Sequence, residues 1–578
     1  MKKSTVIRLG IIILWSILLT GLITRVYLKP GVPSTHDGEN HLARFANYKV
    51  ALKEGQFPPR FAPNLYHRLG YPVFNYNYPL ANIASVPFSL LKLPYQMIFK
   101  IIMTTSLILI VIGLWTWLSQ MQYKVTSKIF ATAALITSPY IFQTVVFRGS
   151  IGEVMALAGL IWLLVWIEQL EPNPPAKDGQ KELRERLIFS RRTLWGAVLF
   201  VLFFLSHNVT VLFGTPLLVL YAIWKHRLRT PVLSVFWAIV LGIGATLWFW
   251  LPALAEQSAV VIGGASLSQQ YQAHFATLQQ LVSSPVQFGF SYLGSLDSIS
   301  FALGAAQWSV VFIALALLGY HLKKRSAFEE RDTTAVVILL FTLLGILLQL
   351  PLSTAIWEVL PLVRYIQFPW RLGMFVALGV ALLAAWVNHH QMRWQRVLFV
   401  FLLVIQGIVL LRMQPVGYIN KERIAYELFD QSTTTTNENL PKDFTLHEFP
   451  EWKPEPTIES GGAKLEVLHW TGSSRRYRIN VTTPVTLIEP TMYFPGWQTH
   501  AHTDVIQPGA RLEYINSETI KGRIAYQLEP GSYTVVSRFT ESTSPRTIGS
   551  MTSIITIFLI ALQLSSQYLF YGKTRRTH

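Results

Sequence analysis

The sequence predicts an all-α polytopic membrane protein of about twelve transmembrane helices, with an extracytoplasmic β-sandwich domain before the last helix. Three observations predict it. Of 578 residues, 51% are hydrophobic and only 14% are charged, a balance foreign to a soluble enzyme. Apolar runs near the roughly 20 residues that cross a bilayer as helix recur along the chain. The stretch 414–547 instead alternates apolar and polar residues between Gly, Pro and Asn turns ("KLEVLHW", "RYRINVTT", "SYTVVSRF"), which is the period of strands.

The runs fall near 8–28, 98–119, 127–146, 151–168, 194–207, 209–224, 231–251, 306–322, 333–350, 368–388, 395–413 and 548–570. The first has a basic start and no convincing small-residue cleavage site, so it reads as an uncleaved anchor. Around "FFLSHNVTVLF" the two runs are short. Counting them as two spans puts "MKKSTVIR", "YKVTSK", "AKDGQKELRERLIFSRR", "KHRLR", "HLKKRSAFEER", "HHQMRWQR" and "GKTRRTH" on one side. Lys and Arg collect in cytoplasmic loops, so both termini of this multi-pass plasma-membrane protein are expected in the cytoplasm. The net charge of +18 is thereby a topology signal, and nucleic acid is not an expected partner. The absence of cysteine excludes disulfides, thiolate nucleophiles and cysteine metal sites. The expected organisation is a membrane core 1–413 with outer loops 29–97 and 252–305, a β-rich extracytoplasmic domain 414–547, and a last helix with a basic cytoplasmic tail, 548–578.

The densest ionisable cluster follows the first span, in "PGVPSTHDGENHLARFANYKVALKEGQFPPR". Apolar residues Leu42, Phe45, Ala46, Val50 and Leu52 predict an amphipathic helix lying at the membrane surface, capped by Thr35, Asp37 or Asn40. Asp37 then has two readings. Either it only caps the helix, or, kept ionised by the helix dipole beside His36 and His41, it accepts a proton or holds a divalent cation, Mg or Mn.

The other candidates lie at the outer ends of spans. In "FRGSIGE", Arg148 and Glu153 each need a partner, since a charge inside a span costs roughly 2.5–3.5 kcal/mol. Either they pair with each other, or Arg148 holds a phosphate and Glu153 a metal or a sugar hydroxyl. "SHN" sets His207 and Asn208 at a hairpin turn or in a cavity. Glu256 follows Pro252, which ends a helix. "PLVRYIQFPWR" carries Arg364, Gln367 and Arg371. Arginine there runs against the charge rule, and its planar fork suits phosphate; salt bridging to Glu358 is the plainer use. The aromatics of Tyr66–Leu80 read as an interfacial belt or a re-entrant segment. Those of "MYFPGWQTH" read as a sugar platform or as sandwich core.

Together, "HDGENHLARFANYKVALKEGQFPPRFAPNLYHRLGYPVFNYNYPL", "FRGSIGEVMALA", "FLSHNVT", "FWLPALAE", "IWEVLPLVRYIQFPWR" and "YFPGWQ" resemble the bacterial membrane proteins labelled 6-pyruvoyl-tetrahydropterin synthase-related. That group is similar to YfhO-like proteins and to the GT-C glycosyltransferases. The pterin activity itself is not expected, because the histidines are scattered over loops on both sides. The GT-C resemblance implies a polyprenyl-phosphate sugar donor, a cell-envelope glycan acceptor and an outer-face site whose base or metal ligand is Asp37. By the same likeness Arg148, Glu153 and Glu256 become cavity residues and Arg364 with Arg371 phosphate binders; His36, His41, Arg44, His207, Asn208 and Gln367 complete the expected substrate-binding set. Gly38 and Glu39 follow Asp37, so the paired-aspartate form of the motif is absent and metal use stays open. Two rival functions remain from sequence: a transporter or flippase for a lipid-linked glycan, and a non-catalytic assembly protein that binds glycan through its sandwich.

Overall fold

The computed structural model describes residues 3–170, 190–261, 270–292, 297–324, 328–359, 366–390, 393–434, 437–444, 452–503, 513–514, 518–520 and 522–574. All twelve expected segments are helical. Among the described residues, eight helices are long and apolar enough to cross a membrane: Gly10–Leu28, Tyr95–Gln120, Ile151–Glu168, Asn208–His226, Thr230–Ala259, Ala305–Lys324, Pro369–His390 and Ser544–Ser565. Two bent pairs raise the number to ten: Val125–Ile136 with Pro139–Arg148, bent by 48°, and Glu330–Leu347 with Pro351–Val359, bent by 100°. Proline makes both breaks, because it lacks the N–H that would continue the ladder. The remaining two are Arg191–Phe204 and Arg393–Arg412. The 14 residues of Arg191–Phe204 rise only about 21 Å, short of a bilayer core. The chain is a helical membrane protein with a C-terminal β-sheet domain.

Two compact units divide the chain. The first comprises Met1–Glu39, Phe99–Gly242 and Ser266–Asn420. Its central helix, Gly373–His390, is buried over nearly its whole length. Asn388 donates to Ser127 Oγ at 2.9 Å and Trp386 to Asp332 at 2.9 Å, tying that helix to its two neighbours. A short ladder pairs β1 (Val32–Pro33) with β2 (Tyr418–Ile419).

The second unit comprises Asn40–Ile98, Ile243–Ala265 and Lys421–His578. Its sheet runs through β3 (Thr457–Trp470), β4 (Ser474–Met492), β5 (Trp497–Thr503), β6 (Glu513–Tyr514), β7 (Glu518–Ile520), β8 (Arg523–Leu528) and β9 (Gly531–Phe539). The two layers expected of a sandwich are one continuous sheet. One edge of β4 pairs with β9 over Ser474–Val481 and then with β8 from Val485. The other edge carries β3, whose register shifts between Ser460 and Gly462. Gly461 (φ +87°) allows that shift: a Cβ there would sit 2.1 Å from the Pro484 carbonyl oxygen.

The sequence expectations need two corrections here. The helix after Asp37, Gly38–Lys53, does not lie at a surface with one face exposed: from His41 to Lys49 every residue is buried. Its polar side chains have protein partners instead. Lys49 reaches Glu427 at 2.8 Å, and Arg44 bonds Thr433 Oγ1 at 3.3 Å. The aromatics of Tyr66–Leu80 form neither a belt nor a re-entrant loop. Tyr66, Tyr71 and Phe74 pack into the core under the sheet, together with Tyr477, Leu487, Phe494 and Trp497. Burial of apolar area at about 25 cal/mol per Å² favours that packing over exposure. The same core takes up Phe494 and Trp497, which the alternation left open as a sugar platform.

Candidate functional site

The first unit gathers a set of charged side chains whose positions follow from local chain breaks. After the break at Pro139, the helix ends in a π-turn, Thr144–Arg148. Gly149 then turns through the left-handed region (φ +64°), where a Cβ would stand 2.3 Å from Thr35 Oγ1. The chain restarts as Ile151–Glu168, with Glu153 in its first turn. This sharp reversal brings Arg148 Nη2 to 2.6 Å from Glu153 Oε2, with the two residues 3% and 2% exposed. Tyr140 O–H also bonds the Glu153 carboxylate and lies 3.1 Å from the Arg371 carbonyl oxygen. Arg148 is braced further by Thr144 Oγ1 at 3.3 Å and by the Trp370 ring, 4.9 Å away. Of the two sequence readings for Arg148 and Glu153, the mutual ion pair is the one formed.

The segment before Gly38 is strapped beside this pair. Ser34 N–H donates to the Gly417 carbonyl at 2.8 Å, His36 N–H to Phe147 at 3.1 Å, and Asp37 N–H to Arg148 at 2.9 Å. Thr35, not Asp37, takes the helix-capping role: Gly38 N–H donates to Thr35 Oγ1 at 2.9 Å. Thr35 therefore leaves the Asp37 carboxylate uncommitted. It is partly exposed and takes part in no side-chain hydrogen bond or ion pair among the described residues, while lying within electrostatic range of Arg148 and His36. The His36 imidazole is held below its ordinary range, chiefly by burial, with the Asp37 charge opposing, so at neutral pH it is uncharged.

On the other side, His207 is the residue before helix Asn208–His226, and its Nδ1 accepts from Thr210 N–H at 3.3 Å. His207 thus fixes the hairpin turn and also faces Glu153. Arg371 lies within the 3₁₀ turn Pro369–Leu372. Its guanidinium lies 5.1 Å over the Phe368 ring and forms no hydrogen bond or ion pair among the described residues. Glu153, His207, Thr210, Phe368 and Arg371 line a narrow pocket.

The structure therefore brings together Asp37, His36, Arg148, Glu153, His207 and Arg371. Asn208 begins the helix behind His207, and Gln367 lies just before Phe368. Arg364 lies outside the described residues. Glu256, His41 and Arg44 belong to the second unit. There Glu256 is fully engaged: Arg546 reaches it at 2.9 and 3.2 Å, Thr543 at 2.6 Å and Asn75 at 3.0 Å. The sequence reading missed Tyr140 and Trp370. The first had a signal: a tyrosine directly after a proline inside an apolar run.

Chemically, a free carboxylate can accept a proton, and a free guanidinium can grip a phosphate with two parallel bonds. Among the described residues no three His, Asp or Glu side chains gather as a metal-binding set.

No family model matches the chain, and no curated protein matches it. Among solved structures the chain is similar to the arabinofuranosyltransferase AftD from mycobacteria, at 16% identity and a TM-score of 0.40, over 72% of this chain and 27% of that one. The chain thus spans about a quarter of that protein's length.

Proposed function

We propose that the chain is a membrane glycosyltransferase that moves a sugar from a polyprenyl-phosphate donor to a cell-envelope glycan on the outer face of the membrane. One observation carries the reading: two uncommitted opposite charges, Asp37 and Arg371, flank the buried Arg148–Glu153 pair. The sequence resemblance to the GT-C group supports the same assignment.

In this reading Asp37 takes the proton of the acceptor hydroxyl as its oxygen attacks the anomeric carbon. The carbon–oxygen bond to the phosphate breaks, and its electron pair leaves on the polyprenyl phosphate. Arg371 neutralises the charge that develops there. Attack from the face opposite the leaving group inverts the anomeric carbon. Arg148, Glu153 and Tyr140 form the rigid floor, since a fully paired network holds one geometry. The donor's lipid tail keeps the reacting bond at headgroup depth, which is why the base belongs at the mouth of the first helix.

The test is the envelope of a deletion strain. Loss of one sugar linkage with accumulation of its polyprenyl-phosphate donor is expected. Unchanged glycan and an unchanged lipid-carrier pool would refute the reading.

A further inference from the structure

The sequence from Leu278 to Ser300 contains no Lys or Arg, and its described parts, up to Tyr292 and from Asp297, bond to each other as the two arms of a hairpin against His36. Phe290 N–H donates to Ser298 Oγ at 2.9 Å, and the Phe290 carbonyl accepts from Ser298 and Ile299 at 2.9 and 3.2 Å. Tyr292 N–H is fixed by Asp297 at 3.0 Å. Phe288, Phe290 and Tyr292 form a row of rings, with Phe288 meeting Phe290 edge-on at 5.5 Å. The Phe290 ring stacks on His36 at 4.5 Å with an 18° interplanar angle. Phe288 meets His36 edge-on at 4.9 Å. Tyr292 continues the row 6.0 Å beyond Phe290. The two outer rings are 45% and 49% exposed, and the row starts one residue from Asp37.

We propose that Phe290 and Tyr292 form a stacking track that receives the sugar rings of a neutral saccharide acceptor and aims its terminal hydroxyl at Asp37. The inference rests on the transferase reading for the name "acceptor" and goes beyond it by assigning that substrate's place and charge class.

Two features select a neutral saccharide. With no Lys or Arg in its own sequence, the hairpin itself offers an anionic group no cationic partner, while the Arg371 side chain, without a hydrogen bond or salt bridge among the described residues, is left for the donor's phosphate. The hairpin is also crowded with polar groups. Ser291 bonds His274 at 2.8 Å, Gln287 bonds the Ser298 carbonyl at 3.3 Å, and Ser284 meets Ser300 at 3.2 Å. From Ser284 to Tyr292 the backbone is neither helix nor strand, and lipid-exposed irregular backbone does not occur within the hydrocarbon region. Exposed rings amid hydroxyl and amide groups match a ligand with C–H faces and hydroxyl edges, which describes a sugar chain rather than a lipid tail.

The experiment is saturation-transfer NMR on the full chain in lipid nanodiscs. The probe is the neutral oligosaccharide fraction released from the envelope glycan, with glucose-1-phosphate as the anionic control. The expected result is transfer to sugar C–H protons in the wild type, weakened about two- to tenfold by Phe290→Ala or by Tyr292→Ala. Phe290→Trp should keep it. Because the chain has no cysteine, Tyr292→Cys adds a unique thiol, which should react with a water-soluble maleimide and be shielded by the oligosaccharides. Wild-type binding in both alanine variants, no saturation transfer in the wild type, or a thiol reached only by lipid-borne quenchers would each overturn the track. Failure of the transferase reading would show separately, as normal glycan made by Asp37→Asn while the track still binds sugar.

Discussion

Two buried ion-pair networks in this protein are made of the same residue types and differ in what they leave over. In the second unit, Glu256 pairs with Arg546, and Arg60 pairs with Glu541 at 3.1 Å and with the Trp248 carbonyl at 2.6 Å. Arg546 also reaches the Pro495 and Thr540 carbonyls, at 2.7 and 3.0 Å. Every charge there has a partner. In the first unit, Arg148 and Glu153 pair just as tightly, yet the side chains of Asp37 and Arg371 beside them form no hydrogen bond or salt bridge among the described residues. Buried charge by itself therefore does not mark a reactive site. A closed network holds chain segments together, and an open one keeps charges available to a ligand.

This contrast can be broken by substitution, and the largest effect is expected at Asp37. Asp37→Asn should lower sugar transfer by at least about 100-fold, with thermal stability unchanged, because Thr35 and not Asp37 caps the helix. Arg371→Gln should lower transfer by about 100-fold, again with little change in unfolding temperature. Wild-type turnover in either variant would mean that their free charges face no substrate.

In the closed network the effect should appear in stability instead. Glu256→Ala leaves Arg546 buried without its carboxylate and should cost about 3–5 kcal/mol. The measurement is denaturant unfolding of the purified protein, and the folded fraction should keep its transfer rate. Loss of transfer without loss of stability would place Glu256 in the chemistry.

The smallest effect concerns pH. Burial holds the folded-state pKa of His36 below its ordinary value, so the unfolded chain takes up the proton first as pH falls. The stability tied to neutral His36 is present above the ordinary imidazole pKa and is lost on acidification through the folded value. His36→Phe should therefore show a shallower fall in melting temperature between pH 7 and pH 5 than the wild type. Identical slopes would contradict the buried, neutral assignment.

The sequence made much of this legible, for physical reasons. Hydropathy marks helices because each span must satisfy its own backbone in the bilayer, and all twelve expected segments are helical. The Arg148–Glu153 pairing was open to inference because a charge within a span needs a partner close by, and five residues across a glycine turn provide one. Strand alternation marked the C-terminal sheet. What stayed hidden depends on distant chain. Glu256 meets Arg546 across 290 positions, a pairing no local pattern encodes. Thr35 and Asp37 were equivalent cap candidates until the segment was strapped to Phe147 and Arg148. The aromatics of Tyr66–Leu80 looked interfacial because the sheet that covers them lies some 400 residues later.

Under the proposed function the open network performs the chemistry and the closed one does not. Its most direct test is the envelope glycan composition of a deletion strain carrying Asp37→Asn or Glu256→Gln at matched membrane levels. The account predicts that the Asp37→Asn strain lacks the transferred sugar and that the Glu256→Gln strain contains it. A wild-type glycan in the Asp37→Asn strain would contradict it.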